Sequence, residues 1–97
     1  MLTEPLHHSL SPVLDMRAAA PLRETLLGLR GQSVDLDASG VSILGGLCLQ
    51  VILSATQTWA QDGLTLRVVD PSDSFQQAYA FLGQTGPDPF AQPELSV

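Results

Sequence analysis

The sequence contains no lysine, and ten acidic residues outnumber its four arginines, so that the net charge is −6. The arginines are scattered along the chain, at Arg17, Arg23, Arg30 and Arg67. Binding to a nucleic-acid backbone requires clustered cationic side chains that neutralise phosphates. We therefore expect no nucleic-acid partner.

Cysteine is almost absent as well, because Cys48 is the only one. A single cysteine forms neither an internal disulfide nor a cysteine metal cluster, and an unpaired one fits a reducing compartment. No stretch reaches the roughly 18 apolar residues of a membrane span, and the N-terminus lacks a basic region followed by an apolar run. These features predict a cytoplasmic protein without direct membrane insertion.

Charged residues make up only 14% of the chain, whereas about a quarter is usual for globular proteins. The surface must then be more neutral or apolar than a self-sufficient monomer needs, which indicates a protein partner. The length of 97 residues allows one domain. We expect that domain to span residues 1–83 and residues 84–97, which contain three prolines, to form a flexible C-terminal tail.

The centre of the chain combines a strand, a turn and a long helix. Val34 and Leu36 alternate with aspartates, the period of a strand with one apolar face, and a turn around Gly40 ends it. Ser42 is then the expected N-cap of a helix that ends at Gly63. The expected core stripe of this helix is Leu44, Leu47, Cys48, Val51, Ala55 and Trp59. A second apolar row, covered either internally or by a partner, is Ile43, Gly46, Leu49, Gln50 and Leu53.

The flanking segments supply further strands and helices. Leu6–Leu10 is expected to be an edge strand, and a helix capped by Asp15 is expected to run from about Ala18 to Gly31. Residues 64–69 form the next expected strand, and a third helix begins at Ser72 and ends at residue 83. Strands that alternate with helices predict the α/β class, with a mostly parallel mixed sheet and three main helices.

A family resemblance rests on residues 34–53, VDLDASGVSILGGLCLQVIL, and on the glycine, strand and serine-initiated helix that follow. This arrangement resembles the STAS domain, the fold of anti-sigma factor antagonists, over about residues 6–83. In that family the helix start usually reads Asp-Ser-Ser-Gly-Leu, and a partner kinase phosphorylates the first serine. In an ungapped alignment Gly46 and Leu47 keep the Gly-Leu pair, whereas Ile43 and Leu44 take the places of the aspartate and the phosphoacceptor serine.

The resemblance also implies a function. The sub-pattern Leu-Gly-Gly-Leu-Cys-Leu-Gln-Val, residues 44–51, is similar to small STAS proteins encoded with bacterial chemotaxis genes. The expected function is that of a non-enzymatic adaptor, which binds a chemotaxis-type histidine kinase and modulates phosphoryl signalling. Two alternatives stay open: a STAS subunit of a phospholipid-transport ABC complex, and an anti-sigma factor antagonist.

The expected partner interface surrounds the start of the long helix and comprises Ser42, Ile43, Leu44, Gly45, Gly46, Leu47, Gln50 and Leu53. Its two glycines either admit a partner backbone or allow tight internal packing. Ser39 and Ser42 are possible phosphorylation sites, although a turn role for Ser39 and a cap role for Ser42 are the simpler interpretations.

The other polar residues do not indicate catalysis. His7 and His8 point to opposite faces of a strand, so they do not share a metal site. Asp35 and Asp37 share a face, but no histidine or glycine-rich phosphate loop accompanies them, and a solvated strand face explains them. We therefore expect neither a cofactor, a metal nor an enzymatic activity.

This interpretation predicts that Leu44→Arg leaves the fold intact and abolishes partner binding, because a charge would replace an apolar contact residue. Circular dichroism and a binding assay check the two halves of the prediction. Wild-type affinity in a folded variant would contradict it.

Overall fold

The computed structural model describes residues 4–82, in which helices alternate with parallel strands. The strands are β1 (Leu6–Ser9), β2 (Val13–Leu14), β3 (Val34–Asp37), β4 (Ile43–Leu44) and β5 (Leu66–Val69). The helices are α1 (Ala19–Gly28), α2 (Gly46–Gln61) and α3 (Asp73–Phe81), and a 3-10 turn, Met16–Ala18, precedes α1. The predicted α/β class with three helices is confirmed. The expected tail, 84–97, and the residue expected to end α3, 83, lie outside the described residues.

The main sheet has the strand order β1-β3-β5. Its register aligns His7 with Asp35 and Asp35 with Arg67. Within β3 the valine and leucine are buried and the two aspartates are half-buried, so the predicted alternation is confirmed. Among residues 4–82 β1 pairs only with β3, which makes it the expected edge strand, one residue shorter than predicted.

A second, two-stranded parallel ladder joins β2 to β4. It pairs Val13 with Ile43 and Leu14 with Leu44, and each strand turns its first residue outward and its second into the core. The prediction that Ile43 and Leu44 belong to the first turn of the long helix is therefore wrong. Two residues are too few for an alternating pattern to distinguish a strand from the start of a helix.

Helix α2 begins later than predicted, because Gly45 is its N-cap and supplies no side-chain cap. The expected cap role of Ser42 is wrong, since that residue precedes β4. The buried residues of α2 are Cys48, Leu49, Ile52, Leu53, Ala55 and Trp59. Leu47, expected in the core, is exposed instead. The core-facing side of α2 follows residues 48, 52, 55 and 59, so Leu47 lies at its edge, beside a groove that α2 forms with α1.

Two side-chain contacts and one backbone conformation fix the end of α2. The indole Nε1 of Trp59, itself 2% exposed, donates a hydrogen bond of 2.7 Å to the Gln32 carbonyl. Gly63 follows the helix with a φ of +75°, the left-handed conformation that favours glycine at this place. Arg30 and Asp62 form an exposed ion pair at 2.9 Å. These contacts attach the carboxyl end of α2 to the segment between α1 and β3.

The other helices begin largely as expected. Asp15 Oδ1 accepts hydrogen bonds from the backbone amides of Arg17 and Ala18, so it caps the 3-10 turn that leads into α1. Helix α1 ends at Gly28, three residues before the predicted Gly31. At the start of α3 Ser72 Oγ accepts from the amide of Phe75, whose ring is fully buried. The predicted cap of α3 is confirmed.

We expect Trp59→Phe to lower the free energy of unfolding by about 2 kcal/mol. The variant removes the hydrogen bond to the Gln32 carbonyl and leaves unfilled space in the core. Urea titration followed by circular dichroism measures the change. The exposed Gln57→Glu on the same helix serves as the control and should stay within about 0.5 kcal/mol of wild type. An unchanged midpoint for Trp59→Phe would contradict this role.

Candidate protein-binding surface

The start of α2 lies directly against the backbone of β2. The amide of Gly45 donates a 2.8 Å hydrogen bond to the Leu14 carbonyl, and the amide of Ser42 donates a 2.7 Å bond to the Pro12 carbonyl. A Cβ atom at Gly45 would lie 3.3 Å from the Leu14 oxygen, tighter than most such contacts. Glycine at this position therefore permits the close approach that fixes the start of α2.

The neighbouring Gly46 has a different environment. A Cβ atom built on Gly46 would meet no heavy atom within 4 Å among the described residues outside its own helix backbone, and the residue is exposed. Of the two interpretations of this glycine pair, tight internal packing therefore applies to Gly45, and the approach of a partner backbone at Gly46 stays a prediction. Gly45 serves internal packing, whereas Gly46 leaves the first turn of α2 accessible from outside.

Four exposed apolar side chains lie on the elements that meet at this end of α2, and we call them the helix-start patch. They are Val13, Met16, Ile43 and Leu47, with exposed fractions of 44%, 73%, 51% and 54%. Val13 and Ile43 are cross-strand partners on the outer side of the small ladder. The 3-10 turn that begins at Met16 is linked to α2 by a hydrogen bond of 3.2 Å from Cys48 Sγ to the Asp15 carbonyl. Cys48 directly follows Leu47 in the sequence, and Met16 directly follows Asp15. The patch is therefore built from four elements, β2, the 3-10 turn, β4 and α2, that meet at one helix end.

The expected interface residues do not all reach the surface. Ile43, Leu47 and Gln50 are exposed, as are Ser42 and Gly46. Leu44 and Leu53 are only 7% and 8% exposed and belong to the core, so neither can offer its side chain to a partner in this structure.

Sequence reasoning missed two members of the patch, Val13 and Met16. They lie about thirty residues before α2 and reach it only through the pairing of β2 with β4. The only local sign was the apolar Val13-Leu14 pair after a proline, which is too short to indicate a strand.

The two candidate phosphorylation sites are exposed hydroxyls with different surroundings. The backbone amide of Ser39 donates a 2.8 Å hydrogen bond to Asp37 Oδ1, which confirms its turn role and lowers the pKa of that carboxyl group. Ser42 Oγ donates to the Pro12 carbonyl at 3.1 Å. Phosphorylation of either serine stays a prediction.

Four of the other ionisable groups lie together on one face of the main sheet, so the expectation that no histidine accompanies Asp35 and Asp37 is wrong. His7 Nε2 lies 3.3 Å from Asp37 Oδ2, and Arg67 pairs with Asp35 at 3.0 Å, both on the polar face of the main sheet. Burial raises the pKa of the Cys48 thiol. Within residues 4–82 no three His, Cys, Asp or Glu side chains lie close enough together to hold a metal ion. The same part of the chain has no helix with the length and apolar character to cross a bilayer.

The buried position of Leu44 corrects the prediction that Leu44→Arg leaves the fold intact. We expect this variant to lose at least about 3 kcal/mol of stability, because it places an unpaired charge in the core. Ile43→Arg, the same change on the exposed neighbour, should cost less than about 1 kcal/mol. Urea unfolding compares the two variants, and equal midpoints would show that the two side chains do not face opposite sides of β4.

Residues 3–86 match the family model described as Mlab, STAS domain. No curated protein and no solved structure matches the chain. The matched segment includes every strand and helix described above, and its parallel α/β architecture is consistent with a small STAS domain. STAS domains typically mediate protein–protein interactions. The chain therefore belongs to the Mlab STAS-domain family.

Proposed function

We propose that this STAS domain is a cytoplasmic, non-enzymatic adaptor that binds a chemotaxis-type histidine kinase through the helix-start patch and modulates phosphoryl signalling. The observation that carries the proposal is the patch itself. Single exposed leucines are common on protein surfaces, whereas four large exposed apolar side chains on elements that meet at one helix end support an interaction surface there.

The composition of the patch suits a protein partner. Its hydroxyl and amide neighbours, Ser42 and Gln50, are exposed beside it and can form the polar rim of an apolar contact. The exposed Gly46 lets a partner backbone approach the first turn of α2. Such a surface offers shape and apolar area, the features that dominate binding energy at the centre of an interface.

The choice of a histidine kinase comes from the sequence resemblance. Residues 44–51, LGGLCLQV, are similar to small STAS proteins of chemotaxis operons, and three of these residues, Gly46, Leu47 and Gln50, are exposed at the surface proposed here. The adaptor would act by binding one conformation of the kinase more tightly than another. The largest shift it can cause equals its differential affinity for the two conformations.

The proposed adaptor lacks the usual phosphorylation switch. In the alignment with the family pattern, Leu44 stands where a phosphoacceptor serine is usual, and its side chain is a core residue without a hydroxyl group. Binding would then depend on the amount of adaptor present and not on its phosphorylation. The anti-sigma antagonist alternative instead requires a phosphate on Ser39 or Ser42, both exposed.

A second candidate function is that of a STAS subunit in a phospholipid-transport ABC complex. All four side chains of the patch are apolar, and permanent assemblies have more hydrophobic interfaces than transient signalling contacts. This candidate predicts stoichiometric association with a transport ATPase that survives purification. A kinase adaptor would exchange more readily.

We expect Leu47→Glu to reduce partner binding at least about tenfold without loss of the fold, since a charge would enter an apolar contact. Leu47 lies in the first turn of α2, where a negative side chain interacts favourably with the helix dipole. Tagged wild-type and variant proteins are used to capture partners from native lysate, and mass spectrometry identifies what is lost. Calorimetry with the purified kinase then measures the affinity.

Gln57→Glu is the matched control, because it adds the same charge to an exposed position three turns along the same helix. It should bind like wild type. Kinase affinity that is equal in Leu47→Glu and wild type would refute the proposed surface. Loss of a transport ATPase, in place of a kinase, would support the second candidate.

A further inference from the structure

A groove of about 440 Å³ opens between α1 and α2, and it extends the accessible surface beyond the helix-start patch. Its walls include Leu27 and Arg23 from α1 and Val51, Ser54 and Thr58 from α2. Leu47 borders both the groove and the patch. Leu27 is 46% exposed although it is large and apolar, so the described residues leave this side of the groove open.

The length of the groove fits a helix. The residues of α2 that line it recur every three or four positions from Leu47 to Thr58, which corresponds to about 16 Å at the rise of an α-helix. Three lining side chains, Ala19, Ser54 and Ala55, are small and permit close approach of a third helix. A partner helix of about three turns would contact both walls at once.

The charge of the groove is opposite to that of the chain. Two of the four arginines, Arg23 and Arg30, line it, and no acidic residue does. Arg30 is paired with Asp62, whereas Arg23 forms no ion pair within residues 4–82. On a chain of net charge −6, the groove thus combines apolar walls with an available cation. The negative charge on the rest of the surface would repel an acidic partner, whereas Arg23 in the groove would attract it. This difference favours a single binding orientation.

We propose that the α1–α2 groove binds an acidic amphipathic helix of a partner protein. The apolar stripe of that helix packs on Leu27, Leu47 and Val51, and one of its carboxylates pairs with Arg23. This contact goes beyond the proposed function, because it requires no particular kinase and lies mostly outside the helix-start patch.

The test uses the full chain and two synthetic peptides of about 14 residues, each with leucines at helical spacing. One peptide carries glutamates beside the leucine stripe, and its twin carries lysines at the same positions. Nuclear magnetic resonance of the isotope-labelled chain follows the amides of the groove during titration. We expect saturable shifts at Leu27, Ser54 and Thr58, with the acidic peptide binding at least about tenfold tighter than its twin.

Three variants identify the contacts. Arg23→Glu should weaken the acidic peptide at least about tenfold, whereas Arg17→Glu, an equal change of charge at an exposed arginine that does not line the groove, should stay within about twofold. Ser54→Phe fills the groove from an exposed position and should abolish binding of both peptides. Circular dichroism verifies that each variant is folded.

Binding that is indifferent to peptide charge and to Arg23 would overturn the proposal, as would the absence of saturable shifts in the groove. A concentration-dependent dimer of the chain itself, detected by light scattering and accompanied by shifts at the same amides, would show that a second copy occupies the groove and would also overturn it. Because neither peptide involves the kinase, these results are independent of the test of the proposed function.

Discussion

The close contact between Gly45 and the Leu14 carbonyl is the constraint on which the structure at the start of α2 depends. It brings the start of α2 within hydrogen-bonding distance of β2, at a separation that a side chain at position 45 would disturb. In the resulting β2–β4 ladder, neighbouring residues face opposite sides. Leu14 and Leu44 enter the core, and their predecessors Val13 and Ile43 face outward. An apolar surface is thus a direct product of the way in which the helix start is anchored.

Helix α2 connects this anchor to the rest of the fold. One side of it fills the core, and its far end is held by the bond from Trp59 to the Gln32 carbonyl. Its remaining side faces α1 across the groove. The helix-start patch and the groove meet at Leu47, so one helix presents two adjoining surfaces with different character. The patch consists of apolar side chains, and the groove adds arginine to an apolar wall.

Much of the architecture could be predicted because it depends on local signals. The alternation in Val34–Asp37 identified β3, and side-chain chemistry identified the caps at Asp15 and Ser72. The start of α2 could not be predicted, because Ile43 and Leu44 are equally compatible with a strand or a helix until β2 pairs with them. For the same reason, the sequence did not indicate that Val13 and Met16 lie near the start of α2, because only the pairing of β2 with β4 brings them there. Helical spacing placed Leu47 in the core because periodicity locates an apolar stripe but not the elements that cover it.

The proposed function requires the helix-start patch to be the surface that contacts the partner. The most direct measurement is amide hydrogen exchange of the full chain, alone and in complex with the purified histidine kinase. The account predicts that protection increases around Val13, Met16, Ile43 and Leu47, while the polar sheet face at His7 and Asp35 exchanges as it does in the free protein. Protection of the sheet face, with unchanged exchange at the start of α2, would contradict it.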